Sequence, residues 1–168
     1  MVVYCAYVRA VSGMGVRRFL AKAAPAMITS ASMMSGKAAI PVNMKACEEL
    51  GVPPNVYSIS VPMSAIFNKQ GSYIPCVVSS LFLALMCGID VSAWDVLLLT
   101  AQAMLIVVAA SGITAQLVVP GILGVPSAAV ELVLGVTKLM DIAGVALDSL
   151  GASASGVIVA GRGNLAEE

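Results

Sequence analysis

The chain has 168 residues, of which 60% are apolar and only 11% charged, with nine basic and nine acidic side chains and no histidine. An ordinary soluble domain is about 25% charged, so a mean hydropathy of +0.98 points to an integral membrane protein with several passes. Balanced charge gives no reason to expect a nucleic-acid partner, and the lack of histidine removes the commonest metal ligand and general base.

Taken in order, residues 1–22 read as the end of a transmembrane helix followed by a cytoplasmic loop. The apolar start is too short to span, since a spanning helix needs about 20 residues, and it lacks the plan of a signal peptide. Arg17, Arg18 and Lys22 form the densest basic cluster, which favours the cytoplasmic face. Residues 23–54 divide at Ser35-Gly36-Lys37 into two apolar arms, each about half the thickness of a bilayer core. That spacing predicts a re-entrant hairpin that enters and leaves on one side, closed by Gly51, Pro53 and Pro54. Ser35-Gly36-Lys37 lacks the first glycine and the following hydroxyl of a phosphate loop.

Residues 55–90 form an apolar run interrupted at Asn68-Lys69-Gln70-Gly71-Ser72. In hydrocarbon, a polar break at mid-depth is tolerated only where it lines a cavity or packs in protein. The break is therefore read as an unwound segment between two half-helices, the arrangement transporters use to hold substrate and ions. Asp90, Trp94 and Asp95 fall on the outer face after this crossing, and for residues 91–126 the family resemblance given below implies a second re-entrant hairpin with its tip at Ser111 to Ala115. Residues 127–161 are the last transmembrane helix, and residues 162–168 a cytoplasmic tail. Asp141, Gly144 and Asp148 fall within about 40° of Thr137 on a helix with 3.6 residues per turn. Carboxylates facing lipid would each cost at least ~2.5 kcal/mol, so this face should turn to a transport site, or Asp141 should pair with Lys138 or Lys69.

The four cysteines, Cys5, Cys47, Cys76 and Cys87, form no C-x-x-C pair and read as small apolar packers. With no nucleophile and base pair and no metal constellation, the chain is not read as an enzyme. The expected fold class is an all-α membrane protein with two re-entrant helical hairpins, the second of them implied by the resemblance below, one broken transmembrane helix and a C-terminal transmembrane helix.

The stretch from Ala38 through Pro41-Val42-Asn43-Met44-Lys45 to Glu48-Glu49-Leu50-Gly51-Val52, followed by Val56-Tyr57-Ser58-Ile59-Ser60-Val61-Pro62, resembles the dicarboxylate/amino acid:cation symporters. Among these it is most similar to the bacterial sodium:serine/threonine symporters, and the resemblance covers their C-terminal, transport-domain part. It implies a secondary active symporter core for a small amino acid of serine, threonine or alanine type, or for a dicarboxylate, in the cell membrane. It also implies partners: the lipid bilayer, N-terminal scaffold helices and a homotrimer. No cofactor is implied beyond sodium or a proton as coupling ion. The alternative is a truncated, non-transporting remnant of such a symporter.

The same resemblance places substrate at Ser35, Gly36, Ser72, Ile113, Asp141 and Asp148, and cations at Ser64, Ile66, Asn68, Gln70 and Asp148. Asp141 matches an aspartate that takes the substrate ammonium, and Asp148 an asparagine that holds its α-carboxylate. Gly144 stands where dicarboxylate-specific members carry arginine, so no bidentate fork for a side-chain carboxylate is present. Gln70 and Ala152 replace cation-binding aspartates, Gly36 and Lys37 replace two serines, and Lys69 replaces a methionine. Lys69 is therefore read as a tethered cation near the vacated sodium sites.

Overall fold

A computed structural model describes residues 2–110 and 112–166, with the backbone alone for 112, 113 and 162–166. Among the described residues the chain is all-helical: α1 (Val2–Ser12), α2 (Val16–Ser32), α3 (Ile40–Glu49), α4 (Pro54–Phe67), α5 (Gln70–Met86), α6 (Ala93–Ala109), α7 (Gly112–Ile122) and α8 (Ser127–Ala166). The chain divides into two compact units, one holding residues 1–68 with 145–168, the other Lys69–Gly144.

In the first unit, α2 packs on α3, α3 on α4 and α1 on α2. Val8, Phe19, Ala23, Cys47, Val61, Leu150, Ala154 and Val157 form its buried core. Two of the cysteines, Cys5 and Cys47, are buried there as small apolar packers. The turn at residues 33–39 separates α2 from α3 and contains Ser35 and Gly36, where the hairpin was expected to divide. Lys22 and Glu49 tie the open ends of the two arms by an ion pair of 2.7 Å. α3 stops as its sequence requires. Gly51 takes a φ of +84°, which only glycine adopts freely, and the Val52 amide returns to the Cys47 carbonyl at 3.0 Å, closing the helix end.

Arg17, Arg18 and Lys22 lie in the first turns of α2 rather than in a loop. Arginine and lysine are good helix formers, and the chain is punctuated earlier, between Gly13 and Gly15, where Gly13 has a φ of +65°.

In the second unit, α5 packs on α6 and α7, and α6 on α7. Its core joins Cys76, Leu99, Ala103, Val107, Ala115 and Val119, and a smaller cluster gathers Leu83, Ala84, Val125 and Val130. Ser111 of the hairpin tip and the Ile113 side chain lie outside the described residues, as do residues 167 and 168 of the expected tail. α8 continues to Ala166, into the segment read as that tail.

Among the described residues no helix is both long and apolar enough to cross a membrane as one span. α5 and α6 have 17 residues each, short of the ~20 a perpendicular span requires. α8 is 40 residues long but carries Glu131, Lys138, Asp141 and Asp148.

Candidate functional site

The polar interruption in the apolar run is a true helix break, and it is narrower than the sequence suggests. α4 ends at Phe67, Asn68 has φ −83° and ψ 81°, and Lys69 has φ −114° and ψ 27°. Gln70, Gly71 and Ser72 already belong to the first turn of α5, because the amides of Ser72 and Tyr73 donate to the Lys69 carbonyl at 3.2 and 2.8 Å. The expected five-residue unwound segment is thus two residues, Asn68 and Lys69. The break is also where the chain leaves the first unit for the second.

In the first unit the Asn68 side chain is held from two sides. The Tyr4 hydroxyl donates to its Oδ1 at 2.8 Å, and its Nδ2 donates to the Asp148 main-chain carbonyl at 3.4 Å. Gly151 makes this possible, since a Cβ there would run into the Asn68 amide and the Tyr4 ring. Nearby along α4, Ser64 donates to the Ser155 hydroxyl at 2.6 Å. A third group links α3 to α8: Asn43 donates to Ser149 at 3.0 Å and accepts from Ser153 at 2.7 Å. Asn43 and Ser153 are fully buried and Ser149 nearly so. Hydroxyl, amide and main-chain carbonyl oxygens of this kind suit a hard cation better than a soft one. Among the described residues no set of three or more His, Cys, Asp or Glu side chains could hold a metal.

In the second unit the centre is Asp141, 5% exposed. Gln116 of α7 donates from Nε2 to its Oδ1 at 2.8 Å, and Lys138 of α8 pairs with its Oδ2 at 3.0 Å. The ion pair that the sequence allowed with Lys138 or Lys69 is made with Lys138. The Thr137 hydroxyl, whose nearest acceptor is the Leu134 carbonyl at 3.0 Å, also lies 3.4 Å from the Gln116 Oε1. Ser79, Gln116 and Thr137, with Leu83, Val130, Val133 and Leu134, border a cavity of about 10 Å³, close to what one water requires.

Two glycines bring backbone against backbone beside this group. A Cβ on Gly71 would strike the Gly144 carbonyl, and one on Gly144 would strike the Gly71 carbonyl. The first turn of α5 therefore lies directly on α8 at Gly144. Gly144 is required here by close packing, and no longer side chain fits without moving α5.

The residues singled out in the sequence fall in both units. Asn68 is brought onto the Asp148 main chain, and Ser64 onto α8. The Ser35 hydroxyl accepts from the Ala38 amide at 3.3 Å in the first hairpin's turn, beside buried Gly36. Ile66 is exposed at 42%, and its side chain stands outside the network. Ser72 is buried, Lys69 half-buried and Gln70 exposed. Sequence reasoning missed Gln116 and Tyr4. Gln116 carried a usable signal, because an amide buried in an otherwise apolar run must find a partner.

The open ends of the helix pairs are built by charge. Ser92 and Asp95 form a capping box: the Ser92 hydroxyl accepts from the Asp95 amide at 3.3 Å, and the Ser92 amide donates to the Asp95 carboxylate at 3.0 Å. These bonds from Ser92 hold the Asp95 carboxyl below the usual aspartate range. The Lys22 contact does the same for Glu49. Trp94 beside the cap is 65% exposed.

The chain matches the sodium:dicarboxylate symporter family over residues 1–162. It is 27% identical over 165 residues to the proton/sodium-glutamate symport protein of Bacillus subtilis strain 168, covering 95% of this chain and 38% of that protein. It is 37% identical over 86 residues to the serine/threonine transporter SstT of Streptococcus suis strain 05ZYH33, covering 51% and 24%. To the proton/glutamate-aspartate symporter of Escherichia coli strain K12 it is 26% identical over 139 residues, covering 80% and 32%. The chain thus spans between about a quarter and two fifths of the length of these curated relatives.

Proposed function

Because the chain belongs to the sodium:dicarboxylate symporter family, a family of transporters and not of enzymes, we propose that it is the transport core of a membrane symporter for a small neutral amino acid. The observation that carries the choice of substrate is the Gly71 and Gly144 backbone contact. It leaves no place on α8 for the arginine fork that would recognise a second carboxylate, while Asp141 keeps an anion for an ammonium group. An α-amino acid offers that ammonium, and a small side chain such as that of serine or alanine asks for no second charge.

Membrane embedding is supported by the surface. Leu132 is 86% exposed, Leu105 72%, Met86 71% and Leu139 69%, and apolar exposure on this scale marks contact with lipid or protein. The break at Asn68 and Lys69 fits the rule that irregular backbone in a bilayer is tolerated only inside protein or beside a cavity. α4 and α5 then act as two half-helices, with the two hairpins as re-entrant elements and α8 as the last crossing, in a multi-pass arrangement in the cell membrane.

The coupling ion is assigned to sodium or a proton. Asn68, Ser64 and the Asp148 main chain carry oxygens that would suit such an ion, and by the resemblance Gln70 replaces an anionic ligand, which would weaken a cation site. Lys69 is proposed to stand in for a bound cation there. Completion of the carrier by N-terminal scaffold helices and assembly as a trimer belong to the same proposal.

Uptake of labelled serine or alanine into proteoliposomes, with and without an inward sodium gradient, tests it. Uptake that Asp141→Asn abolishes supports the reading. No uptake even when the chain is reconstituted with scaffold helices from a relative supports a non-transporting remnant instead. If uptake occurs, Lys69→Met should impose or sharpen sodium dependence, and an unchanged sodium response would refute the role given to Lys69.

A further inference from the structure

We propose that Gln116 is an internal ligand of Asp141 that an incoming ammonium group must displace, so that this one amide sets how tightly the site binds its substrate. The inference rests on the reading of Asp141 as the ammonium-binding group. Both oxygens of the buried Asp141 carboxylate are already engaged, Oδ1 by the Gln116 amide at 2.8 Å and Oδ2 by the Lys138 ammonium at 3.0 Å. Each oxygen keeps a second lone pair, but with Asp141 only 5% exposed the Gln116 amide covers Oδ1, so a substrate amine reaches that oxygen by displacing the amide.

The two engaged partners are not equal competitors. The Lys138 contact joins two full charges, whereas Gln116 offers a neutral donor, and a bond charged at both ends is roughly twice as strong. The Gln116 side is the one that yields. Its own anchor is weak, since Thr137 reaches the Gln116 Oε1 only at 3.4 Å, near the outer limit of a hydrogen bond. The displaced group also has somewhere to go. The cavity of about 10 Å³ bordered by Gln116, Thr137 and Ser79 has room for one water-sized group, and the Ser79 and Thr137 hydroxyls can receive the amide.

Displacement has a direction that distinguishes it from ordinary ligand contact. If Gln116 touched the substrate favourably, its removal would weaken binding. Because it competes for Oδ1, its removal should strengthen binding. A ligand whose only donor is a neutral hydroxyl exchanges one neutral contact for another and gains little, so an amine is favoured.

The test is equilibrium binding of L-serine to the full chain in detergent micelles, for the wild type, Gln116→Met, Gln116→Leu, Thr137→Val and Asp141→Asn, with helicity checked by circular dichroism. Gln116→Met keeps the length and volume of the side chain and deletes only its polar atoms. It should bind L-serine about tenfold more tightly than wild type, the scale of one hydrogen bond to a charged group. Thr137→Val, which only loosens the amide, should tighten binding about twofold. A helical Gln116→Met or Gln116→Leu protein that binds as wild type does, or more weakly, overturns the proposal while Asp141→Asn still abolishes binding. If Asp141→Asn binds as wild type does, or if neither wild type nor Gln116→Met binds at millimolar L-serine, the reading of Asp141 falls and the inference falls with it.

Discussion

In the first unit one set of buried neutral groups satisfies itself, and in the second a buried carboxylate, Asp141, is held by one cation and one amide. Around Asn43 the hydroxyls of Ser149 and Ser153 close a neutral circuit between α3 and α8, and Ser64 and Ser155 repeat the pattern between α4 and α8. Such a circuit gains nothing from exchanging partners, because each group already has one and leaving any of them unpaired is costly. At Asp141 the situation is reversed: a full charge is held partly by a neutral donor, and a better donor would replace it. The neutral circuit fixes one helix against another, and the charged site stands ready to exchange. Both are buried, so burial alone does not separate a structural polar group from a functional one.

The largest expected effect probes the floor of the charged site. Gly144→Ala or Gly71→Ala would drive a Cβ into the opposing backbone. Alanine in an open helix position would stabilise by up to ~1 kcal/mol, so the sign is informative. We expect a loss of about 3 kcal/mol or more, the upper range of overpacking, read from unfolding midpoints in detergent. A neutral or stabilising result would mean that α5 does not lie on α8 as described.

Asn43→Ala comes next and tests the neutral circuit. It strands the Ser149 and Ser153 hydroxyls in a fully buried place and should cost about 2–3 kcal/mol, without changing the affinity for an amino acid. If binding weakened as much as stability, the contrast between a fixing circuit and an exchanging site would be lost.

Smaller effects are expected at the hairpin ends. Ser92→Ala removes the cap on α6 and should lower the unfolding midpoint by a few degrees, with faster amide exchange confined to the first turn of α6. The smallest effect belongs to the exposed Lys22 and Glu49 pair. Its lowered Glu49 pKa means that the pair contributes above the ordinary glutamate range, and that this contribution is lost as the pH falls through the lowered value. In Lys22→Ala the Glu49 titration, followed by carbon NMR, should move back up toward the ordinary range.

Much of this organisation is legible in the sequence. The polar interruption at 68–72 locates the helix break, Ser35-Gly36-Lys37 the turn of the first hairpin, and Gly51 the end of α3, because each breaks an apolar pattern with residues that have a local reason to do so. What the sequence does not show is how a break is shared between unwound and helical residues. Gln70, Gly71 and Ser72 rejoin the helix because Gly71 must meet Gly144, and that is a tertiary contact with no local signature. The basic cluster misleads in the other direction. Charge suggests a loop, yet Arg17, Arg18 and Lys22 have good helix propensity, and the true punctuation is Gly13 to Gly15. Gln116 and Tyr4 escape because each is a lone polar residue whose partner is far away in sequence, 25 residues for Gln116 and 64 for Tyr4.

The assignment of Asp141 as the anion that receives a substrate amine is tested most directly by a competition isotherm against labelled L-alanine, using the full chain in lipid nanodiscs and its Asp141→Asn variant. Unlabelled L-serine should displace the label from the wild type, whereas L-lactate, which replaces the amine of alanine by a hydroxyl, should not, and the variant should retain no specific binding. Equal displacement by L-lactate, or full binding by Asp141→Asn, would contradict it.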